Sequence, residues 1–257
     1  MIFFIVGFIA SIVGAISGLG GGVIIKPVLD AVTTLDASVI SFLSTCAVFT
    51  MSCSAVIKHI KYKTSFEKPT TILLGSGAIL GGLIGTEIFE FIVEFINKDK
   101  FIKIIQNGLL FTLLISILIY INLPNKKQFH IKNRIFIILL GYTLGMISSF
   151  LGIGGGPINI TALTLFFSMD LKNASVNSII LILFSQASKI VTLLISNSIP
   201  LGLDISMLLY IILAAILGGL LGTSINKKIS KTKLTIAYNA VMLFVIITCL
   251  WNIVRLF

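Results

Sequence analysis

The stretch GLGGGVI at Gly18–Ile24 recurs as GIGGGPI at Gly152–Ile158, so one rare Gly-rich break stands in each of two apolar halves. A second pair supports the duplication: AILGGLIGT at Ala78–Thr86 returns as AILGGLLGT at Ala215–Thr223, differing only at Ile84 and Leu221. Irregular backbone at membrane depth is tolerated only where protein buries it or where it lines a polar cavity. A duplicated interruption inside apolar sequence therefore marks a candidate site for something that crosses.

Of 257 residues, 57% are hydrophobic and 11% are charged, whereas about a quarter of the residues in a soluble domain are charged. The composition specifies an all-α integral membrane protein in a lipid bilayer. Six stretches nearly free of charge are long enough to span the hydrocarbon core as helices: 37–57, 69–96, 101–123, 174–199, 203–225 and 234–256. The blocks 1–35 and 134–168 are too long for one straight crossing and are broken in the middle. Met1 leads directly into IFFIVGF without a basic start or a small-residue cleavage site, so no removable signal peptide is expected.

The net charge of +10 comes from lysines in short loops between apolar spans, a pattern that suits a membrane surface and argues against nucleic acid as a partner. Cys46, Cys53 and Cys249 match no disulfide framework or metal-ligand spacing and read as small packing residues. His59 and His130 lack a second ligand at a metal-binding spacing, and no cofactor motif is present. No HExxH, GxSxG or paired-Asp arrangement lies in a span, so an enzyme is not expected.

Loop charge predicts the topology. If each broken block counted as one crossing, positive charge would divide almost evenly between the two sides, against the positive-inside rule. If each block enters and returns, as a re-entrant hairpin or as two short crossings, the second half is inverted relative to the first. Lys58, Lys61, Lys63, Lys68, Lys126, Lys127, Lys132, Arg134, Lys172, Lys227, Lys228, Lys231 and Lys233 then share the cytoplasmic side. Lys98, Lys100, Lys103 and Arg255 lie opposite, and both termini face outward. The expected architecture is two inverted repeats, 1–123 and 134–257, joined by a cytoplasmic linker at 124–133. Each repeat is a Gly-broken helical hairpin followed by three transmembrane helices. Gly18 matches Gly152 and Asp36 matches Asp170, while Ala37-Ser38-Val39 matches Ala174-Ser175-Val176, so three residues are inserted just after the second hairpin.

The glycine runs Gly20-Gly21-Gly22 and Gly154-Gly155-Gly156 let backbone amides turn inward unobstructed. The helix that follows each run presents unpaired N–H groups and a positive dipole end to an anion. Pro157 suits the first position of a helix, so the motif reads as a break followed by the start of a half-helix. Two such starts entering from opposite faces can hold a small inorganic or organic anion near the midplane. By contrast, Gly77, Gly81 and Gly85, like Ala214, Gly218 and Gly222, recur every four residues as smooth faces for helices lying against the hairpins.

Lys26 and Lys189 are left at membrane depth. Lys26 follows the first run by one turn, where the second half has Ile160; it either contacts substrate or snorkels to the interface. Lys189 lies in SQASKIVT with Ser185, Gln186 and Ser188, and Asn159 and Thr161 add hydrogen-bond capacity beside the second break. The candidate substrate-binding residues are therefore Gly20, Gly21, Gly22, Lys26, Gly154, Gly155, Gly156, Asn159, Thr161, Gln186 and Lys189. Glu87, Glu90 and Glu94 share a face at the end of one span and read as a solvated helix end, with Glu94 able to pair with Lys98.

With GLGGG followed by Pro27, GIGGG followed by Pro157, and a two-fold repeat of about four apolar blocks, the chain resembles the sulfite exporter TauE/SafE family of membrane permeases along its whole length. The resemblance implies a transporter of small, often sulfur-containing anions such as sulfite, sulfonates or thiosulfate. It also implies that the Gly runs are permeation elements. A secondary transporter working by alternating access, with H⁺ or Na⁺ as a candidate coupling ion, is the leading expectation; an anion channel and a non-transporting membrane subunit are the alternatives.

Overall fold

The computed structural model describes residues 1–64, 66–96, 98–124, 126–200 and 202–256, so Asn125, within the expected linker, lies outside the described residues. The described residues form helices joined by short turns: α1 Ile2–Ser17, α2 Gly22–Val32, α3 Ala37–Lys61, α4 Lys68–Ile96, α5 Asp99–Asn122, α6 Arg134–Leu151, α7 Gly156–Phe167, α8 Leu171–Ile195, α9 Ile205–Lys228 and α10 Lys231–Leu256. Seven of these are long and apolar enough to cross a membrane: α3, α4, α5, α6, α8, α9 and α10. The broken blocks resolve into the pairs α1–α2 and α6–α7, each interrupted at its Gly run.

Helix starts follow the polar residues that can cap them. Asn133 accepts from the N–H groups of Ile135 and Phe136 at the head of α6, Asp170 from Asn173 at α8, and Asp204 from Ser206 at α9. Asp36 precedes α3 without making a side-chain cap; instead the Ala37 N–H donates to Asp99 Oδ1 of α5 at 2.5 Å. The three inserted residues, Leu171, Lys172 and Asn173, form the first turn of α8.

α3 is the most enclosed long helix, with 72% of its apolar window buried, against 28% for α10. Outward faces remain apolar. On α9, Leu209, Leu213, Leu217 and Leu221 are exposed one turn apart, as are Leu80, Ile84, Ile88 and Phe91 on α4. Exposed rows of this kind are what lipid, rather than water, covers.

The most extensive helix contacts are α4 against α6 and α1 against α9, followed by α3 against α9 and α4 against α8. The glycine faces produce the first two. A Cβ at Gly77, Gly81 or Gly85 would land on the carbonyl of Ile138, Tyr142 or Met146, while Gly141 and Gly145 of α6 receive the carbonyls of Leu74 and Ala78. On the other side Gly218 would meet Phe8 O at 2.8 Å, and Gly222 lies against Ile12 O. Without side chains at these positions, dispersion contacts can form backbone to backbone.

Gly81→Ala is therefore expected to push α4 off α6, at a cost of about 1–3 kcal/mol for an overpacked core. The measurement is thermal unfolding in detergent, where the midpoint should fall by several degrees while the folded fraction keeps its ligand affinity. An unchanged midpoint would count against this packing account.

Candidate functional site

Both breaks are built by glycine stereochemistry. Gly18 ends α1 and Gly152 ends α6, each left-handed, with φ of 75° and 66°, and their N–H groups bond back to Gly14 and Ser148. Left-handed residues follow at Gly20, Gly154 and Gly155, with φ of 75°, 80° and 72°. Gly21 differs: it is right-handed, with φ of −61°, so the first run needs only its outer glycine for a left-handed turn. The helices restart at Gly22 and Gly156, and Pro157 occupies the first turn of α7, as its position in the sequence implies.

The two breaks cross each other. The Leu19 carbonyl rests on Gly156, and the Ile153 carbonyl lies against Gly22, where an added Cβ would be 2.6 Å away. Leu19 and Ile153 are fully buried. Val48 of α3 and Ile182 of α8 close over the crossing: a Cβ at Gly20 would be 3.0 Å from Ile182 Cδ1, and one at Gly154 2.8 Å from Val48 Cγ1. The carbonyls at the ends of α1 and α6 are bonded sideways. Ser178 Oγ donates to Gly18 O at 2.8 Å and Ser44 Oγ to Gly152 O at 3.0 Å.

Polarity gathers at the second break. Lys189, 1% exposed on α8, donates to Ser41 Oγ and to the Ser149 carbonyl, each at 2.8 Å, and its ammonium lies 5.2 Å from the ring centroid of Phe89. Glu90, next to that ring on α4, lies within the field of Lys189. One turn earlier on α8, Gln186 reaches Ser148 Oγ at 3.5 Å and leaves Oε1 without a partner. Ser148 stands against Gly155, and Asn159 Oδ1 would be 3.6 Å from a Cβ there. Asn159 and Ser185 together line a narrow crevice between α4, α6, α7 and α8. Thus Gly154, Gly155, Gly156, Asn159, Gln186 and Lys189 are neighbours around one break, with Ser41, Ser148 and Ser149 beside them. The first run, Gly20–Gly22, reaches this group through the crossing. The α3 positions matching Gln186 and Lys189 are Phe49 and Ser52, so the first break has no equivalent charge.

Thr161 is turned elsewhere. Its hydroxyl donates to the Pro157 carbonyl at 2.8 Å and lies beside Tyr238 of α10, consistent with its position two residues, about 200° of helix, beyond Asn159. Lys26 is 2% exposed; its Cδ would be 3.6 Å from a Cβ at Gly152, and its ammonium faces Asp30 one turn on, at 3.7 Å. Asp30 also accepts from Asn107 of α5, which bonds Asn252 of α10. Sequence reasoning missed these partners. Asp30 was legible from its i, i+4 spacing to Lys26, but nothing local pointed to Asn107 or Asn252.

Cavities of about 360 Å³ open at both ends of the bundle. One, near the 124–133 segment, is lined by Glu67, Ser168, Asp170, Asn173 and Asn177, and the other by Asp36, Ser38, Lys98 and Asp99. Partial burial works against ionisation of Asp170, but Lys231 at 2.5 Å and the Asn173 N–H outweigh it and hold the carboxyl below its ordinary value. Among the described residues the ion pairs are Lys26–Asp30, Lys103–Asp99 and Lys231–Asp170, so Glu94 and Lys98 do not pair. No group of three or more His, Cys, Asp or Glu suited to a metal occurs among the described residues.

Seven helices long enough to span a bilayer, packed around two crossing breaks with a buried lysine beside the second, define a multi-pass membrane protein of the broken-helix type. Residues 3–249 match the family model described as Sulfite exporter TauE/SafE, and the chain belongs to that family of membrane transporters. It is 27% identical over 272 residues to the Probable membrane transporter protein YunE of Bacillus subtilis (strain 168), covering 95% of each chain. No solved structure matches.

Proposed function

We propose that this chain is a secondary transporter that carries a small, sulfur-containing anion, such as sulfite, a sulfonate or thiosulfate, across the cell membrane by alternating access. The observation that carries this reading is the enclosed Lys189 ammonium, set with Gln186 and Asn159 around a break at which α7 begins. The first N–H groups of a helix have no partner within it, and the helix dipole adds positive potential there, so an anion finds donors and charge together. The sulfur oxyanions are suggested by the description of the family. The crossing of the two breaks, carbonyl on glycine, favours a carrier that must rearrange over an open anion channel.

Two inverted repeats, 1–123 and 134–257, are the architecture we favour. Exchanging the halves exchanges the contacts: α4 on α6 becomes α9 on α1, and α3 on α9 becomes α8 on α4. The charge distribution supports a cytoplasmic 124–133 linker with both termini outside.

Counterflow in proteoliposomes tests the function. Internal unlabelled sulfite, thiosulfate or methanesulfonate should accelerate entry of the labelled anion, with saturation. A non-saturating current without counterflow would replace the carrier with a channel. For orientation, Lys98→Cys should react with an impermeant reagent in intact cells while Lys132→Cys stays protected; the reverse pattern would overturn the inverted arrangement.

A further inference from the structure

α2 carries an ion pair that is enclosed but not closed. Lys26 and Asp30 have side-chain exposures of 3% and 1%, yet Nζ and Oδ2 are 3.7 Å apart, well beyond the roughly 2.8 Å of a charge-assisted hydrogen bond. Lys26 Nζ has no hydrogen-bond partner, and neither has Asp30 Oδ1. The other carboxylate oxygen accepts from Asn107 Nδ2 at 3.2 Å. Asn107 Oδ1 in turn accepts from Asn252 Nδ2 at 3.2 Å, and Asn252 also donates to the Pro27 carbonyl at 2.9 Å. Buried charges with unfilled hydrogen-bonding capacity are costly, and a carboxyl in that position relieves the cost by taking a proton.

The surroundings set what can bind there. From α5 come Asn107 and, further out, Lys103 and Asp99, paired at 2.8 Å. From α10 come Asn252, Cys249 and Arg255, the last donating to the Ala31 carbonyl. Lys189 of α8 lies beyond Gly152, which the Lys26 stem also approaches. α1 has no ionisable side chain, and the basic residues of α3, Lys58, His59 and Lys61, lie in its last turn. The matching positions of the second hairpin are Ile160 and Thr164, so the pair occurs once. The groups that face the Asp30 carboxyl are donors, Asn107 Nδ2 and Lys26 Nζ, rather than the several oxygens a hard metal cation takes, which suits it to a proton rather than to Na⁺.

We propose that Asp30 is the proton-coupling site of the transporter. An anion entering beside the second break takes the Lys26 ammonium as its counter-ion. Asp30, losing that partner, binds a proton at Oδ1 and becomes a neutral carboxylic acid. Lys26 keeps its charge throughout, and the proton comes from water at the end of the bundle where Asp36 and Asp99 line a cavity. When the anion leaves, Lys26 returns to Asp30 and the proton is released, so anion and proton travel together. This inference rests on the anion-transport reading above.

The test uses the full chain in proteoliposomes, with thiosulfate and methanesulfonate as probes because both stay ionised near neutral pH. In the wild type, an imposed anion gradient should move protons, read by an entrapped pH dye, and a pH gradient should drive anion accumulation. In Asp30→Asn, both proton movement and gradient-driven accumulation should fall at least about tenfold, while counterflow continues without its pH dependence. Asp30→Glu, which keeps the carboxyl, should shift the pH of half-maximal accumulation. It decides the matter if the Asn variant fails to fold, because an unshifted profile would overturn the proposal. Wild-type counterflow without proton movement, or gradient-driven accumulation retained by Asp30→Asn, would overturn the proton site alone. Absence of counterflow with both probes would remove the anion reading and this inference with it.

Discussion

Replacing Gly155 with valine should reduce anion uptake to the level of protein-free liposomes. Gly155 has φ of 72°, and a Cβ there would stand 2.7 Å from Ser148 Cβ. A β-branched residue in the left-handed region costs of order 1–3 kcal/mol, and the clash with Ser148 adds about as much again. The break must then open or turn, displacing Asn159 and the Ser148–Gln186 contact on either side. Insertion should survive, because the long apolar helices direct it and lie outside the break. Gly21→Val provides the contrast: Gly21 is right-handed, and its Cβ would meet nothing closer than Ala10 O at 3.3 Å, so this variant should keep a measurable fraction of uptake. Uptake of labelled anion, normalised to reconstituted protein, checks both. Near-normal transport by Gly155→Val would remove the second break from the permeation path.

Lys189→Met should weaken anion binding by roughly ten- to a hundredfold, the equivalent of about 1–3 kcal/mol for loss of a buried charged partner. The variant also leaves Ser41 Oγ and the Ser149 carbonyl without their donor, so it should melt earlier. Lys189→Arg keeps the charge and should retain more affinity. Calorimetric titration with the tightest-binding anion separates the two roles. Equal dissociation constants for wild type and Met, with only the melting temperature changed, would leave Lys189 as a brace for the end of α6 and nothing more.

The apolar stretches made the long helices legible, and α3, α4 and α5 begin and end close to the 37–57, 69–96 and 101–123 runs. The Gly77 and Gly218 faces were legible as packing surfaces because a four-residue spacing of small residues has one geometric use in a helix. Which glycine of a run turns left-handed was not legible: three identical residues carry no difference in local preference, and only the neighbouring chain selects Gly155 while leaving Gly21 right-handed. Thr161 was grouped with Asn159 by nearness in sequence, whereas helical rotation separates them. Lys103 reads as a loop charge by position, yet it is buried on α5, its ammonium donating to the Leu35 carbonyl at 2.6 Å. The Lys26–Asp30 pair was visible in the spacing but was obscured by counting positive charges alone.

The pairing of α1 with α9, and of α4 with α6, has a bearing on how the chain is made. α1 is synthesised long before α9, so the surface of α1 on which Gly218 and Gly222 of α9 pack has no mate until α9 is made. α1 lies in the bilayer with that surface uncovered, its close backbone contacts deferred until α9 is in place. Contacts so distant in sequence form slowly and expose intermediates to wrong partners. Packing of α1 therefore waits on a helix from the other half of the chain, and local pairing of neighbouring helices cannot complete the bundle.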